Sequence, residues 1–255
     1  SRAHFASHGV SLPASVPISV PTPLRSASLA PVGRRTNLAG KPLSVSARML
    51  LASLPAARFL RPSHARSDPK WRPTTPGFLD LFSGSKRVAK ALIARGAPWV
   101  LTFEVNDGQA QDLLLAPARE LVSQLLKSGA ILGVGAAPVC ASFSIANTPP
   151  IRTALFPRGA PWAPHPAFLR MKDGNSHSKW VASVYCLCVS LSVAVWVENP
   201  RSSWLWRQRE WVRILKRDTG LFHTDFCRWG TPWRKRTRFV TNIPDLSLCD
   251  VLCTC

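Results

Sequence analysis

Residues 78–105 have the sequence FLDLFSGSKRVAKALIARGAPWVLTFEV, and their pattern of apolar and turn residues predicts the fold class. The apolar run at 78–82 predicts a buried strand, and the SGSK segment after it predicts a turn. Residues 87–94 have the apolar spacing of a helix, with Gly96 as its C-terminal cap. Residues 99–105 predict a second buried strand. A strand, a glycine turn, a helix and a strand within about 30 residues indicate a βαβ unit of a parallel sheet.

The same alternation continues along the chain. Residues 113–128 predict a helix closed by Gly129, and residues 130–135 predict the next strand. Residues 181–190 and 193–197 repeat the helix and strand pattern. The sequence therefore predicts an α/β domain with a doubly wound, Rossmann-like sheet.

One segment approaches the length of a membrane span. Lys179 and Glu198 enclose 18 uncharged residues. Three serines lie inside this segment, and a break near residues 190–192 divides it into a helix and a buried strand. We therefore expect no membrane partner.

Charge is distributed unevenly along the 255 residues, whose net charge is +20. Residues 1–76 contain 11 basic residues and one acid, and they are rich in Ser, Ala and Pro, which predicts a disordered leader or a targeting peptide. Residues 201–238 contain 11 basic residues and three acids, which favours a polyanion as partner of the folded domain. The predicted organisation is a leader at 1–76, a domain at 77–242 and a cysteine-containing tail at 243–255.

The seven cysteines have no regular spacing, which favours a reducing, intracellular compartment such as the nucleus or an organelle over a disulfide scaffold. Cys249, Cys253 and Cys255 are irregularly spaced, so no metal site is predicted. The sequence does not indicate an oligomeric state.

The turn after the first predicted strand has the features of a nucleotide site. The segment from Asp80 to Gly84 would leave backbone N–H groups open at a helix N-terminus, and Glu104, 20 residues later, could accept hydrogen bonds from ribose hydroxyls. The alternative is a purely structural turn glycine. Asp112 could lie at the end of a third strand, or it could cap the helix that follows.

Two further loops follow predicted strands. In GAAPVCASFS, residues 135–144, Cys140 would lie at the rim where parallel sheets bind ligands, unless it is a small buried hydrophobe. In VWVENP, residues 195–200, Glu198 could meet Cys140 across that rim, or it could cap a helix.

The segment CRWGTPWRKRTRFVTN, residues 227–242, interleaves tryptophans with cations. Alternating aromatic and basic side chains can combine base stacking with phosphate contacts, although basic runs are often only solvated surfaces. The residues predicted to contact nucleic acid are Trp229, Trp233, Arg234 and Lys235.

In order and spacing, the motifs DLFSGS, FEV, QDLL, PVCASFS, VENP and GTPWRKRTRF resemble those of the S-adenosylmethionine-dependent cytosine-C5 DNA methyltransferase family. The resemblance extends from about Phe78 to Asn242 and implies a methyltransferase-like fold, S-adenosylmethionine as cofactor and DNA, more than RNA, as partner. It implies cofactor contacts by six residues: Asp80, Phe82, Gly84, Glu104, Asp112 and Pro138.

The resemblance also implies which residues act in catalysis and what each of them does. Cys140 would be the nucleophile that adds to C6 of a cytosine, Glu198 would contact N3 and the exocyclic amine, and Arg236 and Arg238 would steady the loop and the target nucleotide. Lys86 and Arg87 replace two glycines that the family usually has. Because the sulfonium cofactor is cationic, Lys86 would lower its affinity unless the side chain points away. The rival predictions are a catalytically degenerate domain that binds nucleic acid and an RNA cytosine methyltransferase.

Overall fold

The computed structural model describes residues 40–55, 58–62, 68, 70–217 and 219–254. Most of the predicted leader, residues 1–39, lies outside the described residues. Its final part is structured in a way that the composition did not predict. Ala47 and Leu51 bury one face of the short helix Val45–Ala52 in the core, and Leu43, just before the helix, is buried with them.

Between residues 77 and 200 the described strands and helices alternate as the sequence predicts, whereas the elements before and after this segment were not predicted. The helices are α1 (Val45–Ala52), α2 (Arg87–Ala94), α3 (Ala116–Lys127), α4 (His165–Ser190) and α5 (Arg209–Leu215). The strands are β1 (Phe59–Leu60), β2 (Gly77–Leu81), β3 (Val100–Phe103), β4 (Ile131–Ala136), β5 (Ala194–Pro200), β6 (Gly220–Asp225) and β7 (Arg236–Thr241).

The seven described strands form one sheet in the order β1-β3-β2-β4-β5-β7-β6. Strands β2, β3, β4 and β5 are parallel, and β6 points the same way because it pairs with β7, which is antiparallel to β5. Strand β1 is antiparallel to β3. The sheet is thus mixed and mostly parallel. Its order reverses at β2, which has β3 on one side and β4 on the other.

Helices pack against both faces of this sheet. On one face Leu79, Leu101 and Val134 lie side by side in register and share a buried cluster with residues of α3 and α4. On the other face Phe78 and Val100 pack with Ala89 of α2. Alternate residues of a strand point to opposite faces, so each face has its own core.

Helix α4 ends at Ser190, and strand β5 begins at Ala194. Ser192, between them, has φ +54° and turns the chain back towards the sheet. The prediction that a break divides the long uncharged segment into a helix and a strand is confirmed. Among the described helices, none combines the length and the hydropathy that a membrane crossing requires.

The tail packs against the edge strand β6. The backbone N–H of Asp225 donates to the carbonyl oxygen of Val251 at 3.0 Å, and the backbone N–H of Cys253 donates to the Asp225 carboxylate at 2.8 Å. These contacts satisfy backbone groups of an otherwise open sheet edge. The residues that were predicted to form a separate tail therefore pack along the edge strand β6.

Candidate functional site

The loops after β2, β4 and β5 leave the same edge of the sheet, because these strands are parallel. They contain the glycine turn, Cys140 and Arg201, respectively. Parallel sheets bind ligands outside the carboxyl ends of their strands, where the strand order reverses. The reversal between β2 and β4 therefore places the candidate site between the glycine turn and the Cys140 loop.

The glycine turn has a tightly wound backbone. Phe82, Gly84 and Lys86 all have positive φ, at 59°, 47° and 58°. Gly84 suits this conformation because it lacks a Cβ, whereas Phe82 and Lys86 adopt it at a conformational cost. The backbone N–H of Ser83 donates to the carbonyl of Phe103 at 3.1 Å, which anchors the turn to β3.

Glu104 binds the turn itself. Its Oε2 accepts a 2.8 Å hydrogen bond from the backbone N–H of Gly84, and its Oε1 accepts bonds from the backbone and side-chain nitrogens of Asn106 at 3.3 and 3.0 Å. The sequence spacing thus brings these two predicted cofactor residues together. In this arrangement both carboxylate oxygens are engaged by the chain.

Lys86 forms a salt bridge beside the turn. Its Nζ lies 2.6 Å from Oδ2 of Asp107, just beyond β3. Because the salt bridge neutralises the cation locally, Lys86 repels a positively charged ligand less than a free lysine would.

Asp80 is a buried carboxyl group beside the turn, with 5% of its surface exposed. Burial raises the pKa of Asp80 to about 6; the backbone N–H of Ala89 opposes this increase, and the charge of Glu104 adds to it. Its Oδ2 is buried and has no hydrogen-bond partner among the described residues. Asp80 is therefore a buried acid at the switch point of the sheet that keeps one carboxylate oxygen without a partner.

Phe82 belongs to an aromatic cluster with α4. Its ring lies edge-on to those of His177 and Trp180, with centroids 4.9 and 6.4 Å away. Burial lowers the pKa of His177 to about 4, and the charge of Arg119 lowers it further. The sequence patterns did not single out His177, because a lone histidine within a helix has no local signature.

Asp112 lies in the turn before α3. Its Oδ1 accepts a 2.8 Å hydrogen bond from the backbone N–H of Leu114, but the N-cap of α3 is Leu115, so Asp112 neither ends a strand nor caps the helix. Its negative charge opposes the lowering of the pKa values of Arg119 and His177. Asp112 is thus grouped electrostatically with the Phe82 cluster.

Cys140 is partly exposed and is a free thiol. Its carbonyl accepts a 2.9 Å hydrogen bond from the backbone N–H of Phe143, which forms the short 3₁₀ helix Ala141–Phe143. The prediction of an accessible sulfur at the carboxyl end of β4 agrees with this placement, and the alternative of a fully buried cysteine does not.

Arg152 clamps the Cys140 loop to α4. This guanidinium is only 2% exposed, and it donates to the backbone and hydroxyl oxygens of Ser142 at 2.8 and 3.1 Å, to Asn175 Oδ1 at 2.8 Å and to the Met171 carbonyl at 3.1 Å. It also donates to the Pro157 carbonyl at 2.8 Å. Burial lowers its pKa to about 10. No sequence motif pointed to this residue, whose partners are spread along the chain.

Glu198 and Asn199 lie on opposite faces of β5. The Asn199 side chain donates to the carbonyl of Pro138 at 2.7 Å, whereas the Glu198 carboxylate accepts from Lys235 Nζ at 2.9 Å. No hydrogen bond links Cys140 directly to Glu198 among the described residues. Instead, Asn199 joins β5 to the loop that contains Cys140. The side chain of Glu198 is 18% exposed.

The two arginines predicted to act in catalysis have other partners. Arg236 binds both carboxylate oxygens of Asp225 at 3.0 Å, and this contact holds the pKa of Asp225 well below its usual range. Arg238 donates to Nε2 of His223 at 3.1 Å and lies over the ring of Trp206. Lys235, which was predicted to contact nucleic acid, is the cation beside Glu198.

The basic segment exposes its aromatic rings. Trp229 and Trp233 are 56% and 57% exposed, and Arg234 lies 3.4 Å from Asp225. Trp229 donates through its indole nitrogen to the Thr224 hydroxyl at 2.7 Å, which fixes one edge of the ring. Exposed rings between cations are suited to base stacking.

Two cavities lie outside the predicted cofactor site, one beside Trp206 and the other beside Trp99. In the part of the chain that the structure describes, no three side chains of the metal-binding types are grouped to hold an ion. No protein-family model matches the chain. A search of curated proteins likewise finds no match.

Proposed function

We propose that the chain forms a doubly wound, Rossmann-like domain that transfers a methyl group from S-adenosylmethionine to C5 of cytosine in DNA. One observation carries the proposal: the hydrogen bond from Asn199 to Pro138 holds the segments of Glu198 and Cys140 together at the edge where the strand order reverses. Two of the motifs that resemble the methyltransferase family, PVCASFS and VENP, are thus in contact.

The layered architecture supports the doubly wound assignment. Helix α2 covers one face of β2 and β3, and α3 and α4 cover the other. In doubly wound sheets, nucleotides bind in a crevice where the strand order reverses, and here the order reverses at β2. The glycine turn and the Cys140 loop would form the two sides of such a crevice.

The residues around the turn fit a cationic cofactor. Asp80 has a buried carboxylate oxygen without a partner, and Lys86 is paired with Asp107. When bound, S-adenosylmethionine would supply an electrophilic methyl group. Asp80, Phe82 and Gly84 would hold it on the β2 side, Asp112 and Pro138 would complete the pocket, and Glu104 would exchange its bond to Asn106 for ribose.

Cys140 and Glu198 would act on the cytosine. The Cys140 thiolate adds to C6, which makes C5 nucleophilic enough to accept the methyl group. Glu198 presents its carboxyl group to N3 and the exocyclic amine, and Lys235 holds that carboxyl group in position. Methyl transfer to C5 would release S-adenosylhomocysteine. Loss of the C5 proton to water would then allow the Cys140–C6 bond to break, with the thiolate as leaving group. The base must first be extruded from its stack.

A second candidate is a domain that binds nucleic acid without methyl transfer. The engagement of both Glu104 oxygens within the turn favours it, because ribose binding then requires that one of these bonds be exchanged. The exposed rings of Trp229 and Trp233 serve nucleic-acid binding in either case.

Calorimetry and covalent trapping separate these functions. The methyltransferase is expected to bind S-adenosylmethionine with a measurable heat, and to form a covalent adduct with a strand that contains 5-fluorocytosine. Cys140→Ser should abolish the adduct, whereas Cys186→Ser, which changes an exposed thiol on α4, should not. Binding of the strand without cofactor heat or adduct would favour the second candidate. An adduct with RNA strands alone would assign the substrate to RNA.

A further inference from the structure

A cavity of about 340 Å³ opens at the end of β5, beside α5. Four cationic side chains line it, and no acidic side chain does. They are Arg201, Arg207, Lys216 and Arg238. Ser202, Ser203 and Trp206 also line the cavity, with two hydroxyl groups and an aromatic ring. The cavity has the chemistry of an anion site.

These cations have no acidic partner within the described residues. None of the four forms an ion pair there, and the Nε of Arg238 donates to a neutral nitrogen of His223. Burial, followed by the charges of Arg201 and Arg207, lowers the pKa of Arg238. Like charges gathered around one cavity repel each other, and a bound anion would relieve this repulsion.

A phosphate group matches both the charges and the available donors. Arginine forks bind phosphate oxygens in pairs, lysine adds a point charge, and serine hydroxyls donate further hydrogen bonds. The cavity is at the small end of the range for ligand sites, which suits one phosphate with its sugar better than a large apolar ligand.

The position of the cavity indicates where that phosphate comes from. Arg238 pairs in register with Asn199, and Asn199 donates to Pro138 at the start of the Cys140 loop. The cavity therefore lies on the same sheet edge as the candidate site and is connected to it through the strand pair. A nucleic-acid strand with one base at Cys140 would carry its phosphates along this edge.

We propose that the cavity formed by Arg201, Arg207, Lys216 and Arg238 binds a backbone phosphate of the nucleic-acid strand. The inference rests on the proposed function in its choice of polymer. It adds a phosphate contact separate from the exposed rings of Trp229 and Trp233, on the face of β5 and β7 where Arg238 and Asn199 lie side by side.

The test measures the binding of a fluorescein-labelled single-stranded DNA oligonucleotide by anisotropy at several salt concentrations. Arg201→Gln/Lys216→Gln changes two exposed cations of the cavity. We expect roughly tenfold weaker binding at low salt, and a decrease of about 0.7 in the slope of log affinity against log salt, the value for one lost phosphate contact on a single strand. Arg207→Gln provides an independent variant in which both the affinity and the slope should change in the same direction.

The matched control is Arg95→Gln/Lys127→Gln. Both residues are exposed at the C-terminal ends of α2 and α3, before β3 and β4, and therefore at the opposite edge of the sheet. The control removes the same net charge, so an equal effect of both double variants would overturn the proposal.

Two further arms separate the phosphate source and the proposed function. At constant ionic strength, inorganic phosphate should displace the oligonucleotide only weakly. If the protein binds inorganic phosphate but not the oligonucleotide, nucleic acid is not the source of the phosphate. If the cavity variants lose the salt slope but wild-type protein forms no Cys140 adduct with 5-fluorocytosine DNA, the phosphate site stands and the methyltransferase proposal fails. If the adduct forms and the cavity variants keep the wild-type salt slope, the methyltransferase proposal stands and the phosphate site is overturned.

Discussion

The side-chain amide of Asn199 donates a 2.7 Å hydrogen bond to the carbonyl oxygen of Pro138. Asn199 is 1% exposed, so this bond forms out of reach of solvent. It spans 61 residues of chain and fixes the loop that begins two residues before Cys140 against β5. The position of the candidate nucleophile therefore depends on a residue beside the candidate acid.

Replacing Asn199 with Ala should loosen this loop. The variant leaves the Pro138 carbonyl without its donor in a buried position, which costs about 1 to 3 kcal/mol of the free energy of unfolding. Urea denaturation measures the loss, and the rate of Cys140 modification by a thiol reagent should rise. Asn242→Ala is the control, because Asn242 bonds to Val193 and Val195 at the other end of β5. A similar change in Cys140 reactivity in both variants would contradict a specific role.

Arg152→Met should destabilise the protein by about 3 kcal/mol or more. Methionine fills the space but leaves the oxygens of Ser142, Met171 and Asn175 without their donor. Arg152→Lys keeps the charge but lacks the planar fork that reaches five acceptors, so most of the loss should remain. Thermal denaturation of both variants tests the clamp, and a loss below about 1 kcal/mol for Arg152→Met would disprove it.

Asp80 should make the protein less stable as pH rises. Its pKa in the folded state is about 6, raised by burial from 3.8, so the folded state holds the proton more strongly than the unfolded state does. The free energy of unfolding should fall between pH 3.8 and about 6, by at most about 3 kcal/mol at 1.36 kcal/mol per pKa unit. Asp80→Asn should remove this contribution when the denaturation curves of the two proteins are compared over pH. If the free energy of unfolding of Asp80→Asn had the same pH profile as that of the wild-type protein, the raised pKa of Asp80 would be contradicted.

His177 should act in the opposite direction within almost the same range. Burial lowers its pKa from 6.5 to about 4, so the unfolded state binds the proton first as pH falls. Stability is full above pH 6.5 and decreases as pH falls towards about 4. His177→Gln should reduce this acid-side loss, measured as the difference in the free energy of unfolding between pH 7 and pH 4.5. A larger acid-side loss in the variant would show that His177 binds a proton in the folded state.

Much of the domain follows from local sequence. The strand, turn and helix from Gly77 to Ala94 match the expectation to within a residue, as do the C-terminal ends of α3 and α4. Helix α4, however, begins at His165, well before the predicted start at residue 181. Gly96, with φ +92°, follows the end of α2 as a cap should. These features depend on apolar spacing and backbone stereochemistry over a few residues, which the sequence displays directly.

The contacts of the candidate site could not be predicted in this way. The resemblance implied that Arg236 and Arg238 steady the catalytic loop and the target nucleotide. In the structure the register of β6 and β7 pairs Arg236 with Asp225, and Lys235, just before β7, donates to Glu198. A shift of one residue along a strand exchanges the two faces of the sheet. That register is set by the packing of the whole sheet.

The sequence by itself determined the alternation of strands and helices, the basic character of the C-terminal part and the residue types available for chemistry. Only the tertiary structure decided the strand order, the buried clamp of Arg152 on the Cys140 loop and the gathering of Arg201, Arg207 and Arg238 around one cavity. The physical reason is the distance along the sequence over which each kind of interaction acts. Helix and turn preferences act between near neighbours, whereas burial, strand register and charge clustering depend on residues that meet only when the chain has packed.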